Sequence, residues 1–221
     1  MNQLWQDYRS PGFFDEVFDD SGQPRPAANA LVRYLGEFDT QEIDSRRMAA
    51  DLSIKSMGIT FTVYSDAGMI DRAWPFDVLP RTIGRREWDR VREGLQQRVT
   101  ALNLFIADLY GKQQIIKDGV FPREVLAQSV NFRPECVGVR PPGDIWAHIC
   151  GSDLVRDGAG DFYVLEDNLR SPSGVSYVME NRRTMARVFP NLFATHRVRA
   201  VGDYSSHLLR ALRNAAASNV A

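Results

Sequence analysis

The chain has 221 residues, of which 44% are hydrophobic and 25% are charged, the usual balance for a globular protein. This composition excludes a disordered tail, a collagen-like repeat and a disulfide-stapled miniprotein, and the length suffices for one large domain or two small ones. The formal net charge is −1 at pH 7. Charge therefore gives no reason to expect nucleic acid or an anionic membrane as a partner.

The cysteines, the basic residues and the N-terminus narrow the class further. Cys136 and Cys150 form no CxxC pair, which argues against a disulfide framework or a zinc knuckle. Only three of the 27 basic residues are lysines, although many nucleotide sites place a lysine on the phosphates; a GC-rich genome also explains this bias. The polar residues 1–11 are no signal peptide, and no window is apolar enough to span a membrane, so we expect a cytoplasmic protein.

The pattern along the chain predicts a mixture of helices and strands. An irregular, turn-rich lead-in over residues 1–25 precedes one predicted domain over residues 26–221. Helices are predicted over 27–38, 41–57 with Thr40 as its cap, 86–110, 113–117, 123–129, 177–188 and 203–215. Strands are predicted over 59–64, 69–74, 78–83, 145–155 and 162–169. This mixture, with hairpins, predicts an α+β fold in which helices accompany a mixed sheet.

Two of these segments show strong hydrophobic periodicity. The strand over 59–64 alternates strictly, which places Ile59, Phe61 and Val63 on one face. The helix over 86–110 has an apolar residue at every third or fourth position, which predicts a stripe that packs into the core. The stripe consists of Trp88, Val91, Leu95, Val99, Leu102, Ile106 and Leu109.

The residues that carry the most chemical information lie between 153 and 176. Glu166 and Asn168 are two positions apart on a predicted strand and therefore share a face. If the preceding hairpin is centred on Ala159–Gly160, Asp153 lies directly opposite Glu166, whereas a shift of one residue would break this pairing. With that register, three oxygen-bearing side chains share one face, and oxygen ligands suit Mg²⁺ or Mn²⁺.

The loop after this strand adds groups that bind anions. The guanidinium of Arg170, the hydroxyls of Ser171 and Ser173 and a flexible turn at Gly174 can hold a phosphate or a carboxylate. Metal ligands on strands beside such a loop form the arrangement that phosphoryl transfer needs. The alternative interpretation is that the polar strand residues simply face solvent.

Other catalytic motifs are missing from the sequence. Residues 153–164 do not form an EF-hand loop, because Val155 and Val164 occupy ligand positions. The sequence has no phosphate-binding P-loop, complete dinucleotide fingerprint or nucleophile elbow. The three histidines, His148, His196 and His207, lack the spacing of metal ligands.

Several long segments resemble the circularly permuted ATP-grasp family, in particular its glutathionylspermidine synthase-like members. They are GITFTVYSD (58–66), PFDVLPR (75–81), the run over 87–119 and DLVRDGAGDFYVLEDNLRSPSGVSYVMENR (153–182). The resemblance extends from about Phe13 to Leu212 and implies Mg-ATP-dependent ligation of a carboxylate to an amine. In such a reaction ATP phosphorylates the carboxylate to an acyl phosphate, and the amine then displaces phosphate to leave an amide.

The resemblance also implies roles for individual residues. Asp153, Glu166 and Asn168 match the side chains that hold the magnesium ions in the related synthase. Ser171 and Ser173 match two serines that help to bind the acid substrate. We therefore expect a metal site and a substrate-binding loop next to each other.

One position departs from the family pattern. The synthase has an arginine two residues before its metal-binding aspartate, and Gly151 occupies that position here. The resemblance therefore does not establish glutathione as the substrate. Arg170, the candidate catalytic residue, or Arg156 would have to supply the positive charge.

The lysines and the flexible glycine loop that cover ATP in this family are not found here, as the presence of only three lysines indicates. We therefore expect the N-terminal half of the permuted fold, the product of a split gene, a truncated frame or a shortened piece. It would be inactive without a second chain that supplies the ATP-binding lobe. The expected substrates are a small-molecule or peptide carboxylate and an amine. The alternative is a non-catalytic truncated module for binding or assembly.

Overall fold

A computed structural model describes Trp5 and residues 8–10, 12–58, 60–65 and 68–216. The helices in these ranges are α1 (Asn29–Leu35), α2 (Thr40–Ser56), α3 (Arg85–Leu109), α4 (Gln114–Lys117), α5 (Arg123–Gln128), α6 (Val175–Val188), α7 (Pro190–Thr195) and α8 (Tyr204–Ala215). The strands are β1 (Thr60–Ser65), β2 (Gly68–Ala73), β3 (Gly151–Arg156) and β4 (Phe162–Asn168). Short 3₁₀ helices occur at Pro134–Cys136 and Pro142–Asp144. The predicted α+β class is confirmed.

Each strand in the described ranges pairs with its neighbour in the chain. β1 pairs antiparallel with β2, from Thr60 opposite Ala73 to Ser65 opposite Gly68, and β3 pairs with β4. The predicted mixed sheet is therefore wrong for this part of the chain, which forms two separate two-stranded sheets. Ile59, at the start of the first predicted strand, lies outside the described residues.

The segment predicted as a strand over 78–83 is irregular instead. Pro80 lies at its centre, and proline has no N–H to donate to a sheet ladder. The apolar residues of this segment are used differently: Val78 is buried in the hydrophobic core of the first compact unit. Hydrophobicity alone was therefore a poor guide to strand structure here.

The chain divides into two compact units. The first consists of Met1–Arg85, Arg156–Asp161 and Gly174–Gly202. The second consists of Arg86–Val155, Phe162–Ser173 and Asp203–Ala221. β4 and all of β3 except Arg156 thus belong to the second unit, while Arg156 and the connecting turn belong to the first.

The first unit packs around Phe189 and Leu35, which are almost fully buried. Residues of α1, α6 and α7 complete this core. The predicted cap of α2 is wrong, because Asp39 and not Thr40 occupies the cap position. The Asp39 side chain accepts from the Glu42 N–H, and the Glu42 side chain accepts in return from the Asp39 N–H. This capping box satisfies two backbone donors at the start of α2.

In the second unit, α3 holds the segment that leads into β3. Asn103 Oδ1 accepts hydrogen bonds from the backbone N–H groups of Trp146, at 2.8 Å, and Ala147, at 2.9 Å. The ring of Tyr110 stacks between those of Phe132 and Trp146, with centroid separations of 4.9 and 4.7 Å. These contacts fix the start of β3 against the helix.

The apolar stripe of α3 is confirmed as the more covered side of the helix, but its burial is partial. Leu109 is buried together with Ile116 and Leu126, while the other stripe residues are half-buried. Leu104, off the stripe, is 67% exposed. In the described ranges, no helix is both long enough and apolar enough to cross a membrane.

Candidate functional site

Residues 157–161 form the turn between β3 and β4. The Asp157 N–H donates to the Asp161 carbonyl at 3.0 Å, and the Gly160 N–H donates to the Asp157 carbonyl at 3.1 Å. Gly160 has φ of 95°, a value that favours glycine. This is a three-residue loop made of a type I turn and a left-handed glycine. The hairpin is therefore centred on Ala159, and the predicted centre at Ala159–Gly160 is wrong by half a residue.

This turn has a consequence for the predicted metal ligands. If its register continued without interruption, Asp153 would lie opposite Leu165, and Ser152 would lie opposite Glu166. Since residues opposite each other share a face and neighbours alternate, Asp153 would then project away from Glu166 and Asn168. The regular hairpin would thus separate the three residues.

The open end of the hairpin has a different register. Ser152 Oγ donates a hydrogen bond to Asp167 Oδ1 at 2.7 Å. A Cβ atom added at Gly151 would lie 3.9 Å from the Cβ of Asn168. Both distances indicate that Ser152 lies opposite Asp167, and Gly151 opposite Asn168, one residue further along β4 than the turn dictates.

The exposure of β4 shows where the extra residue is accommodated. Along the strand, half-buried and exposed residues alternate until Leu165 and Glu166, which are both exposed, and Asp167 is again half-buried. From this pattern and the contacts at the two ends we infer that two residues of β4 face one residue of β3 at this point, as in a β-bulge. Beyond the bulge, Asp153 shares the exposed face with Glu166 and Asn168.

Two of these three side chains touch directly. Asn168 Nδ2 donates to Glu166 Oε1 at 3.0 Å, which leaves the amide oxygen of Asn168 and the second carboxylate oxygen of Glu166 available. Asp153 is exposed, and its carboxylate has no hydrogen-bond partner within the described ranges. The set offers only oxygen donors, which fits Mg²⁺ or Mn²⁺.

In the described ranges no three or more histidine, cysteine or acidic residues are grouped so that they could hold a metal ion. The predicted set is of another kind, with two carboxylates and one amide. Metal binding by Asp153, Glu166 and Asn168 therefore stays a prediction. What the geometry supplies is a shared, solvent-accessible face for the three side chains.

The opposite face of the hairpin carries an ion pair that the sequence did not indicate. Arg98 Nε on α3 donates to Asp167 Oδ2 at 2.6 Å, and the Asp167 side chain is only 8% exposed. Burial raises the pKa of Asp167, but the hydrogen bonds from Ser152 and Arg98 and the charge of Arg98 outweigh it, so the pKa is lowered overall. Burial, and then the charge of Asp167, raise the pKa of the nearby Cys150 thiol.

The predicted substrate loop folds back onto β3. A Cβ atom added at Gly151 would lie 2.7 Å from the Cβ of Pro172, so the proline occupies the space of a side chain there. Because Gly151 and Asp153 are two residues apart on β3, Pro172 lies on the same face as the predicted metal ligands. Ser171 and Ser173 flank this proline and are exposed.

The same contact accounts for glycine at position 151, where the resemblance led us to expect an arginine. Any side chain at this position would collide with Pro172. Of the two candidate replacements, Arg170 is exposed. Arg156 is only 5% exposed and lies in the first unit, 3.6 Å from the Glu16 carboxylate and 4.4 Å from the centre of the Phe14 ring. Arg170 is thus the more accessible cation.

A family profile described as a circularly permuted ATPgrasp matches residues 80–221. The chain belongs to this family, as its motifs indicate. It is 51% identical over 208 residues to an uncharacterised protein of Mycobacterium leprae (strain TN), a match that covers 94% of this chain. It is 44% identical over 216 residues, or 98% of the chain, to an uncharacterised protein of Synechocystis sp. (strain PCC 6803).

The relatives are longer than the matched region. The chain spans 36% of the Mycobacterium leprae protein and 45% of the Synechocystis protein. It is also 39% identical over 184 residues to a protein of Frankia alni that is named a putative glutamate–cysteine ligase. That match covers 82% of this chain and 21% of the relative. Activities of these whole proteins therefore do not transfer directly to this chain.

The close approach of Pro172 to Gly151 predicts opposite effects for two glycine substitutions. Gly151→Ala forces the proline to move and should lower the free energy of unfolding by about 1–3 kcal/mol, the usual cost of overpacking. Gly94 lies in α3 with open space around it. Gly94→Ala should therefore raise the free energy of unfolding by about 0.5–1 kcal/mol. Urea denaturation of both variants measures this difference, and an unchanged Gly151→Ala stability contradicts the described contact.

Proposed function

We propose that this chain provides the metal- and substrate-binding part of an ATP-dependent carboxylate–amine ligase that works through an acyl phosphate. The observation that carries the proposal is the exposed face on which Glu166 and Asn168 touch and Asp153 projects from the neighbouring strand. The loop packed on Gly151 lies on this face as well. Membership of the permuted ATP-grasp family and the ligase names of the Frankia relatives support it.

In this proposal Asp153, Glu166 and Asn168 hold Mg²⁺ or Mn²⁺ through their oxygen atoms. The cation neutralises charge on the phosphates of ATP when it is bound. The proposal is supported by the projection of all three side chains from one side of two paired strands, which would limit how far the ligands can separate. Such a fixed arrangement favours catalysis, since little reorganisation is needed during the reaction.

The residues after β4 would position the acid that is activated. Ser171 and Ser173 can donate hydrogen bonds to its carboxylate, and Pro172 limits the movement of the loop that carries them. The guanidinium of Arg170 is the proposed catalytic group, which stabilises negative charge as the phosphoryl group is transferred. The second substrate is an amine that displaces phosphate. A cytoplasmic location stays a prediction.

The metal site predicts a selective loss of Mn²⁺ binding when its ligands are replaced. Glu166→Gln, Asn168→Ala and Asp153→Asn should each weaken Mn²⁺ binding at least about 10-fold, because even indirect partners of metals typically contribute 10- to 100-fold. Electron paramagnetic resonance of free Mn²⁺ measures the affinity. The midpoint temperature of thermal denaturation without metal should change little in these variants, since all three side chains are exposed.

Two exposed residues away from the site serve as matched controls. Glu93→Gln, on α3, removes one negative charge, and Asn131→Ala removes one amide; both side chains are exposed. Neither should alter Mn²⁺ affinity. Equal weakening by Glu166→Gln and Glu93→Gln would show that the cation responds to overall charge and would refute the assigned ligands.

We further propose that the residues covering the ATP phosphates lie outside residues 1–221. The presence of only three lysines and the lack of a recognisable phosphate-binding glycine loop in the sequence support this proposal. The cation site would then be present in this chain, while most contacts to the nucleotide would come from elsewhere.

This separation of the cation site from the nucleotide contacts predicts that the isolated chain binds Mn²⁺ but binds Mg-ATP weakly. Isothermal titration with Mg-ATP should give no saturable heat at micromolar protein, and AMP should behave in the same way. Tight, stoichiometric Mg-ATP binding would contradict the proposal that the residues covering the phosphates lie outside this chain. Light scattering that shows a stable dimer, unchanged by Mn²⁺ or Mg-ATP, would instead support the non-catalytic assembly module.

A further inference from the structure

The contact between Arg98, Asp167 and Ser152 lies behind the proposed metal face and takes no part in binding there. We propose that it is a positioning device, which holds the β-bulge of β4 and thereby keeps Asp153 on the same face as Glu166 and Asn168. The three residues are called the register latch below. Its functional consequence rests on the proposed metal site, but its structural effect can be measured without any metal.

The need for such a latch follows from the turn. The hydrogen bond between Asp157 and Asp161 fixes one register at the closed end of the hairpin. The open end is offset by one residue, as shown by the Ser152–Asp167 hydrogen bond. A bulge leaves part of the ladder unpaired, so a regular hairpin would regain backbone hydrogen bonds unless other contacts favour the offset.

The register latch supplies those contacts, because its hydrogen bonds can form only in the offset register. In a regular hairpin Ser152 would lie opposite Glu166, and the side chain of Asp167 would project from the other face. Asp167 would then leave Ser152 and also Arg98, with which it now forms a hydrogen-bonded ion pair at 2.6 Å. At 8% exposure, the Asp167 carboxylate has few alternative partners in water. Its charge-assisted hydrogen bonds are of the strong kind.

The latch has a different location from the groups that it positions. Arg98 belongs to α3 and approaches β4 from the covered face, while Glu166 and Asn168 are exposed. One residue of β4 thus anchors the strand, and the residues on either side of it form the proposed metal site. The alternation of a strand makes this possible, because consecutive side chains point to opposite faces.

The test compares Arg98→Met, Arg98→Lys and Ser152→Ala with the control Arg90→Met, which removes an exposed arginine from the same helix. Nuclear Overhauser effects across the hairpin report the register without metal. In the wild-type protein and in Arg90→Met, Gly151 should contact Asn168. In Arg98→Met this contact should be lost and replaced by a contact between Gly151 and Asp167. Arg98→Lys, which keeps the charge, should restore most of the wild-type contact.

Mn²⁺ affinity provides the second measurement. Arg98→Met should weaken Mn²⁺ binding by about 10-fold or more, as for other indirect partners of a metal, with Arg98→Lys intermediate. Ser152→Ala removes a single hydrogen bond and should produce a smaller change in the same direction, so it remains informative if Arg98→Met does not fold.

The two measurements separate the latch from the proposed function. If Arg98→Met and Ser152→Ala retain both the Gly151–Asn168 contact and full Mn²⁺ affinity, the latch is refuted and the metal site stands. If the wild-type protein binds no Mn²⁺, the metal site is refuted, and the register shift in Arg98→Met still decides whether the latch is real. A loss of thermal stability with an unchanged register assigns Arg98 a structural role only and also overturns the latch.

Discussion

The arrangement of the site depends on a one-residue difference in register between the two ends of a short hairpin. At the closed end, Asp157 and Gly160 select a three-residue loop whose geometry fixes the pairing. At the open end, Ser152 and Asp167 form a hydrogen-bonded pair that requires an additional residue on β4. Without this offset, the carboxylate of Asp153 and the donors on β4 would lie on opposite faces, and no single cation could contact all of them.

The offset also brings the loop after β4 onto the same face. Gly151 has no side chain, and Pro172 occupies the space that one would take. The serines on either side of this proline therefore follow the proposed ligand Asn168 closely in the chain and flank a residue that packs on the same face. A cation next to a loop with hydroxyl and guanidinium groups suits the activation of a carboxylate by ATP. A glycine at position 151 thus permits this close packing of the loop on β3.

The sequence predicted the regular elements better than the pairing between them. The repeat of apolar residues located α3 to within one residue at each end, because a 3.6-residue period is a property of the helix alone. The two-residue spacing of Glu166 and Asn168 likewise predicted their shared face correctly. The segment over 78–83 was misjudged because its apolar residues pack into a core without strand geometry.

The register of β3 and β4 lay beyond sequence reasoning for a physical reason. It depends on an Arg98–Asp167 contact between residues 69 positions apart, and no local pattern reveals which distant side chain will meet a strand. The expected hairpin centre was half a residue in error, yet the bulge restored the pairing that this centre implied for Asp153. The shared face of the three residues thus arises with a turn that differs from the one assumed, and metal binding there stays a prediction.

We propose that Asp153, Glu166 and Asn168 surround one divalent cation. Paramagnetic line broadening of the backbone amide signals by substoichiometric Mn²⁺ tests it most directly, because the effect falls steeply with distance from the ion. If these residues hold the ion, the signals of residues 151–153 and 166–168 should broaden first and together. Broadening that begins at another acidic region, or that spreads evenly over the exposed carboxylates, would contradict it.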